Sequence, residues 1–411
     1  MLVHWIWFAT RRALTDQARL ELLARFHDPE ELYYGDPETV RRMTELSPEA
    51  FASLQDRELA EAEGILEQCD RKRIQLLTYQ DALYPKRLKN TADPPCLLYY
   101  KGRLPELDAV PVIGVVGTRQ ASAYGLTAAK RLGYQIGQCG GIVASGMARG
   151  IDAMAMSGAL TAGQPVVGVL GCGVDLVYPA SNRALYGDLE RYGCLLSELP
   201  PGTPPGRWTF PRRNRIISGI SNGVLVVEAP AKSGALITAR LAAEQGRDVF
   251  AVPGNIDVPS CAGSNALLRE GATIVSTGWE VLSEYAPLYP GKIRDRQTSA
   301  QMTAYPDEVR EAAEAAENKT ENIKKNLDKK TIDNGLPAPY SDRKDPLPPL
   351  SEEERLIVDA LQSGERQADE VIDETGLTTG KFLAAMTVLE IKGILRRLPG
   401  KRLRLVRQSN Q

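Results

Sequence analysis

The chain has 411 residues, which is too long for one compact core, so two or three domains are expected. Hydrophobic residues make up 43% and charged residues 25%, as in an ordinary globular protein. Because the net charge is −2, any surface that binds nucleic acid must come from a local cluster of basic residues. The only histidines are His4 and His27, so neither a Ser-His-Asp triad nor a histidine-bound metal can form from the residues downstream of them.

The six cysteines form no zinc or redox motif, because no two of them stand at a C-x-x-C spacing. Scattered single cysteines are typical of a reducing compartment, and we predict a cytoplasmic protein. The apolar run at residues 2–9 is too short to span a membrane, and the basic pair Arg11 and Arg12 follows it, whereas a signal peptide has its charge first. The run is interpreted as a buried helix start, with no membrane association.

Residues 1–75 are predicted to form a helical domain. Leu14, Ala18, Leu22 and Leu23 keep helical spacing, and prolines and a glycine mark the turns. A connecting segment follows at residues 76–110, and its apolar run before Gly102 indicates a strand laid against the next domain.

Residues 111–288 alternate short apolar runs with helical patterns. Between the first two runs, Leu126, Ala129, Gly133 and Ile136 form a helical stripe. Continuous apolar strands alternating with helices predict an α/β domain with a doubly wound parallel sheet. The predicted strands are Val112–Val116, Gly141–Ala144, Val166–Leu170, Val224–Val227 and Val249–Val252.

Residues 289–350 are predicted to be a flexible linker, with one transient helix at residues 307–318, because large apolar residues are few. Residues 351–411 are predicted to form a winged-helix domain. Its basic wing could bind DNA phosphates. Its presumed recognition helix has few side chains that could contact base edges, so binding to a partner protein stays an alternative. The predicted elements are helices at 352–361, 369–375 and 379–391 and a hairpin at 394–398 and 403–406.

Three strand ends carry loops that suit an anion. The first is Gly117–Arg119 before Ser122, the second is Ala144–Asp152, and the third is Lys232–Gly234 before the helix of Thr238. Glycines let backbone N–H groups approach a phosphate, and the helix starts favour negative charge. Any one of these loops could be only a tight turn, but three loops with cations on one sheet favour a polyanion.

A dinucleotide cofactor is the main competing ligand for these loops. Its fingerprint needs G-x-G-x-x-G and an acidic residue about 20 positions later for the ribose hydroxyls. Here the first loop reads GVVGTR at residues 114–119, and residues 118–151 contain no Asp or Glu. We therefore predict phosphate binding with no cofactor and no metal. The same segment contains the basic residues Arg119, Lys130, Arg131 and Arg149.

Aromatic and basic residues alternate at residues 207–215, in the sequence RWTFPRRNR, which is predicted to be a loop. Bases stack on aromatic rings or guanidinium planes, and cations follow the phosphates of a single strand. Trp208 and Asn214 could equally have structural roles. As a cluster, the segment favours single-stranded DNA binding.

Together, these segments resemble the DprA/Smf family of DNA-processing proteins across the whole central domain. The most diagnostic matches are FPRRNRIISGIS at residues 210–221 and KSGALITA at residues 232–239, with further matches at residues 117–125, 145–160, 169–179, 197–198, 246–254 and 263–265. The resemblance implies an extended Rossmann domain that binds single-stranded DNA, forms a homodimer, loads the recombinase RecA in natural transformation and helps displace single-strand-binding protein. It also implies a SAM-like or helix-hairpin-helix-like N-terminal domain.

The resemblance and the loops together select the candidate binding residues. Met156 departs from the family, which usually has histidine there, and a packing role is expected for it. No catalytic residue is predicted. The predicted single-strand and phosphate-binding residues are Gly117, Arg119, Ser145, Gly146, Arg149, Arg207, Phe210, Arg213, Asn214, Arg215, Lys232, Ser233, Gly234 and Thr238.

Two other function classes stay open. LOG-type phosphoribohydrolases share a related scaffold and place a glutamate after a Gly-Gly-x-Gly-Thr loop, whereas residues 229–243 here contain no acidic residue. An adaptor with a vestigial pocket is disfavoured by the retained Arg119 and Lys232. The remaining acidic residues are expected to cap helices or fix loops, namely Asp152, Asp175, Glu198 and Glu228.

Overall fold

A computed structural model describes residues 1–296, except 12 and 44, and much of residues 351–405. Within the second range the residues not described are 363, 378–381, 383–384, 387–388, 390–393 and 399–401. The chain divides into two compact units, Met1–Pro306 and Asp307–Gln411. The predicted linker and its transient helix lie almost entirely outside the described residues and stay predictions.

Six helices form the N-terminal part of the first unit. Several of them begin after a capping residue such as Thr15, whose side chain accepts a hydrogen bond from the Ala18 N–H. Residues 4–8 of the first helix are buried, which confirms the buried helix start. Among the described residues we find no helix with the length and apolarity that a membrane crossing requires. The helices are α1 (Leu2–Thr10), α2 (Asp16–Arg25), α3 (Pro29–Tyr34), α4 (Pro37–Met43), α5 (Pro48–Gln55) and α6 (Ala60–Lys72).

A nine-stranded sheet forms the centre of this unit, in the order β1-β2-β6-β5-β4-β3-β7-β8-β9. The strands from β3 to β9 are parallel, and β2 pairs antiparallel with both β1 and β6. The predicted parallel sheet is confirmed. The strands are β1 (Gln75–Thr78), β2 (Leu97–Gly102), β3 (Val112–Val116), β4 (Ile142–Ser145), β5 (Val166–Val169), β6 (Cys194–Ser197), β7 (Gly223–Val226), β8 (Asp248–Ala251) and β9 (Thr273–Ile274).

The strand order reverses at β3. The chain runs outward from β3 through β4 and β5 to β6, and it then returns to place β7 on the other side of β3. Loops that follow neighbouring strands at such a reversal diverge, and the crevice between them is the usual ligand site of this fold. The first and third predicted loops follow β3 and β7 and therefore border this crevice.

Helices cover both faces of the sheet. Two of them, α8 and α9, pack very closely, because a Cβ on Gly133 would lie 2.0 Å from the Ala155 carbonyl oxygen. Met156 of α9 is fully buried in the core, which agrees with the packing role expected for it. The helices are α7 (Lys86–Lys89), α8 (Ala123–Gln138), α9 (Ile151–Thr161), α10 (Arg183–Tyr192), α11 (Thr209–Ile220), α12 (Gly234–Glu244), α13 (Ala262–Arg269) and α14 (Gly278–Ser283).

The sequence prediction was wrong about the arginine segment. Residues 209–215 form the first half of α11 and are not a loop. Pro211 suggests a loop, but it occupies the first turn of the helix, where proline removes no intrahelical hydrogen bond. The prediction also missed β1, β6 and β9, which have only two to four residues each.

The N-terminal helices and the sheet share one hydrophobic cluster, in which Trp5 and Leu22 belong with Ile113 and Leu195. β1 also joins the sheet directly after α6. The boundaries at residues 75, 110 and 288 stay a prediction, as does the SAM-like character of the helices.

The second unit contains two described helices and a three-stranded antiparallel sheet. Its sheet includes the predicted hairpin, in which Leu395 pairs with Leu405. The predicted helix at 379–391 lies mostly outside the described residues, but Phe382, Met386 and Leu389 are buried at helical spacing. The elements are α15 (Glu352–Ala360), β10 (Arg366–Gln367), α16 (Ala368–Thr375), β11 (Leu395–Leu398) and β12 (Arg402–Leu405).

Candidate nucleic-acid interface

An open pocket of about 430 Å³ lies at the carboxyl ends of β3 and β7, between the starts of α8, α11 and α12. Its position is the crevice expected from the strand reversal. The pocket brings together most of the predicted site residues, although Gly117 and Thr238 are 121 positions apart in the chain. Those that line it are Gly117, Arg119, Phe210, Arg213, Asn214, Lys232, Ser233, Gly234 and Thr238.

The first loop is held against the third by Glu228, a buried residue just beyond β7. The Thr118 N–H donates to the Glu228 carbonyl oxygen over 2.7 Å, and the Ser122 hydroxyl donates to its carboxylate over 2.7 Å. Ser122 in turn caps α8 by accepting from the Gly125 N–H. Gly117 is required here, because a Cβ would lie 2.5 Å from the Ile151 side chain.

Arg119 and Lys232 are the two exposed cations of the pocket. Neither makes a hydrogen bond or an ion pair with another residue in the described part of the chain. The Arg119 guanidinium carbon lies 5.3 Å from the centre of the Phe210 ring, which orients it beside the pocket. Cations without a carboxylate partner are available to phosphates.

The third loop is ordered by short-range capping. Ser233 accepts from the Ala235 N–H over 3.2 Å at the start of α12. The Gly234 carbonyl oxygen accepts from the Asn214 side-chain amide over 3.4 Å and from the buried Thr238 hydroxyl over 3.5 Å. Asn214 therefore joins α11 to the third loop. This is the structural role that the sequence analysis left open for Asn214.

The second loop differs from the expectation, because its polar groups are used within the protein. The N–H groups of Gly146 and Ala148 both donate to the Asp152 carboxylate, over 3.1 and 3.3 Å. The Ser145 hydroxyl is buried and donates to the Val115 carbonyl oxygen. Neither Ser145 nor Gly146 lines the pocket, and their role as phosphate ligands stays a prediction.

Asp152 and Arg213 place a buried pair of opposite charges at the base of the pocket. Burial raises the pKa of Asp152, and nearby Arg213 partly opposes that shift. Burial likewise lowers the pKa of Arg213, against the effect of Asp152. Arg213 donates to the carbonyl oxygens of Gly146 and Val169, so it supports the pocket from below.

The remaining predicted arginines lie outside the pocket. Arg207 is exposed just before α11, and exposed Arg149 donates to the Ser181 hydroxyl over 3.2 Å. Arg215 is 5% exposed and forms ion pairs with Glu198 at 2.7 Å, Asp16 and Asp93. This network joins α11 to the N-terminal helices through Arg215, whose place beside a DNA strand stays a prediction.

A larger cleft of about 1290 Å³ lies between the N-terminal helices and the loop after β6. Its charges are mixed, since Asp16, Glu61 and Glu198 accompany Arg19 and Arg212. Arg212 is paired there with both Asp16 and Glu198. The smaller pocket is therefore the better match for a polyanion.

Pocket residues that the sequence analysis did not select include Thr118, Gln120, Pro230 and Ile237. Thr118 and Gln120 flank Arg119, so the glycine motif itself was the signal for them. Ile237 is brought there only by the first turn of α12. The described residues contain no group of three or more metal-binding side chains.

Comparison with known proteins decides the family. The family model "DNA recombination-mediator protein A" matches residues 75–286. "Protein Smf" of Synechocystis is 34% identical over 343 residues, which cover 82% of this chain and 81% of the relative. The chain belongs to the DprA/Smf family. The "DprA winged helix domain" model matches residues 341–401 of this DprA/Smf chain, which confirms the predicted winged helix.

Two further DprA proteins support the same assignment. DNA processing protein DprA of Bacillus subtilis is 42% identical over 201 residues, which cover 49% of this chain and 68% of that protein. The X-ray structure of DprA from Streptococcus pneumoniae matches with a TM-score of 0.62 and 32% identity, covering 69% of this chain and 98% of that one. The extended Rossmann domain expected from the resemblance is thereby confirmed.

Proposed function

We propose that this DprA/Smf protein binds single-stranded DNA without sequence preference in the pocket between β3 and β7. The proposal rests on two exposed cations, Arg119 and Lys232. They lie on loops that follow neighbouring strands, and neither forms an ion pair with a described residue. Phosphates of a single strand pass most favourably between such cations. Beneath them the charge of the buried Arg213 is opposed by that of the buried Asp152, so the two exposed cations supply the pocket's net positive charge.

The absence of sequence preference follows from the chemistry of the lining. Cations and glycine turns contact phosphates, which are the same at every nucleotide. Aromatic rings stack with any base, because every base has a π face. We therefore expect oligonucleotides of different composition to bind with similar affinity.

Family membership supports the finer parts of the proposal. A recombination mediator would protect the incoming strand, displace single-strand-binding protein and load RecA, in the cytoplasm. We also propose a homodimer. Ile274 supports it, since this residue is 62% exposed on β9, the strand that ends the sheet.

We further propose that the pocket binds without catalysis and without a cofactor. Asp152 and Glu228 are committed to loop amides and to Ser122, and Asp175 and Glu198 have cationic partners elsewhere. Residues 229–243 lack the glutamate of the LOG-type enzymes. A general acid–base pair is therefore hard to assemble at this site.

The decisive experiment is fluorescence anisotropy with labelled oligo-dT over a salt series, comparing the native chain with Arg119→Ala and Lys232→Ala. Each substitution should weaken binding and reduce the slope of log affinity against log salt by about one. Arg71→Ala, an exposed arginine near the end of α6, is the matched control and should bind like the native chain. Native-like binding by both pocket variants, or no binding by the native chain, would overturn the proposal.

A further inference from the structure

The Phe210 ring is half-buried, with neighbouring groups on three sides. Arg119 lies over it at 5.3 Å, and the Tyr178 ring packs against it at 5.6 Å with an interplanar angle of 30°. A Cβ on Gly171 would lie only 2.8 Å from Phe210 Cδ1, so the main chain covers a third side. Phe210 therefore orients its neighbours more than it offers a face to a base.

Tyr178 offers the surface that Phe210 lacks. Tyr178 is 41% exposed, and although it does not line the pocket, its ring packs against Phe210, which does. An exposed aromatic ring next to a phosphate-binding pocket is the feature on which a base of a single strand stacks.

The position of Tyr178 is fixed by its main chain. The Tyr186 hydroxyl accepts from the Tyr178 N–H over 3.2 Å and donates to the Tyr178 carbonyl oxygen over 2.8 Å. Tyr186 is itself buried in the core. A ring on so well anchored a segment loses little conformational entropy when a base stacks on it.

The same segment explains the place of Arg149. Arg149 donates to Ser181, three residues beyond Tyr178, and Asn182 donates to the carbonyl oxygens of Met147 and Ala148. These bonds join the second glycine loop to the Tyr178 segment. Arg149 is thereby held to the segment that carries Tyr178, outside the pocket, and is itself exposed.

We infer that Tyr178 and Arg149 form a second nucleotide subsite, where the base of the nucleotide leaving the pocket stacks on Tyr178 and Arg149 binds its phosphate. This inference rests on the proposed function and extends the strand path along the outer side of Phe210. It assigns to Tyr178 the stacking that the sequence suggested for Phe210.

The test compares Tyr178→Ala, Tyr178→Phe and the native chain with oligo-dT of increasing length. Tyr178→Ala should bind long oligonucleotides about tenfold more weakly, the usual effect of one lost base stack. Tyr178→Phe keeps the ring and should bind like the native chain. The shortest oligonucleotides, which fill only the pocket, should bind equally to all three proteins.

Tyr192→Ala is the matched control, because Tyr192 is 67% exposed at the far end of α10, next to the amino end of β6. Photocrosslinking of an oligonucleotide carrying 5-iododeoxyuridine, followed by mass spectrometry, should identify Tyr178. Native-like binding by Tyr178→Ala, with binding lost in Lys232→Ala, would overturn this inference and leave the proposed function standing. No binding by the native chain would overturn both.

Discussion

Arg213 of α11 donates a hydrogen bond of 2.6 Å to the carbonyl oxygen of Gly146, in the turn after β4. A Cβ on that glycine would lie 2.5 Å from the same guanidinium nitrogen. Gly146 therefore provides both the acceptor and the space for a cation buried below the pocket. Through this contact the second glycine loop acts on the site without lining it.

Gly146→Ala should destabilise the protein by about 2 kcal/mol, because the added methyl group displaces Arg213 and leaves its donors unsatisfied in the core. Urea unfolding measures this change. Gly187→Ala is the control, since Gly187 lies within α10 with no atom within 4 Å of an added Cβ, and alanine should stabilise that helix slightly. An unchanged unfolding midpoint for Gly146→Ala would show that Arg213 moves without cost.

Arg215→Ala tests whether Arg215 is structural. Its removal leaves Glu198 and Asp16 largely buried with fewer cationic partners, and the free energy of unfolding should fall by about 3 kcal/mol. Urea unfolding gives the stability, and oligo-dT anisotropy at low temperature gives the affinity of the folded variant. The affinity should fall less than in Lys232→Ala. Full stability with lost DNA binding would restore the role that the sequence suggested for Arg215.

The contact between Asp175 and Lys72 should make stability depend on pH. Burial pushes the pKa of Asp175 up, but hydrogen bonds from Lys72 and the Gly202 N–H outweigh burial and hold the pKa below its ordinary 3.8. A carboxyl whose pKa is lower in the folded than in the unfolded protein stabilises the fold at pH values above its unfolded-state pKa. This stabilisation is lost as the pH falls through its folded-state pKa.

Asp175→Asn removes this charge and keeps an oxygen that can accept from the Gly202 N–H. At pH 7 the variant should be about 1 kcal/mol less stable than the native chain. The difference should shrink as the pH falls below 3.8. Thermal unfolding over a pH series measures it, and Lys72→Met should behave like Asp175→Asn. A difference that does not change with pH would assign the effect to packing.

Much of the Rossmann-like part could be predicted from local patterns. Continuous apolar runs such as Val112–Val116 and Val166–Val169 indicate strands covered on both faces, and such strands belong to parallel sheets. Glycine turns and capping residues such as Ser122 and Ser233 mark where helices follow strands. β6, with the sequence CLLS, has no β-branched residue, and β9 has only two residues, both exposed, so neither carries a strand pattern and both were missed.

By itself the sequence determined the α/β class, the family and the set of loops from which the site is built, because these depend on residue type and spacing along the chain. Only the tertiary structure decided which loops meet: the strand order brings Arg119 and Lys232 together and closes the second loop on Asp152. The tertiary structure also decided that residues of the arginine segment, 207–215, have different surroundings. Successive residues of a helix point in directions about 100° apart, so Phe210 reaches the pocket while Arg215 reaches Asp16, almost 200 positions away in the chain.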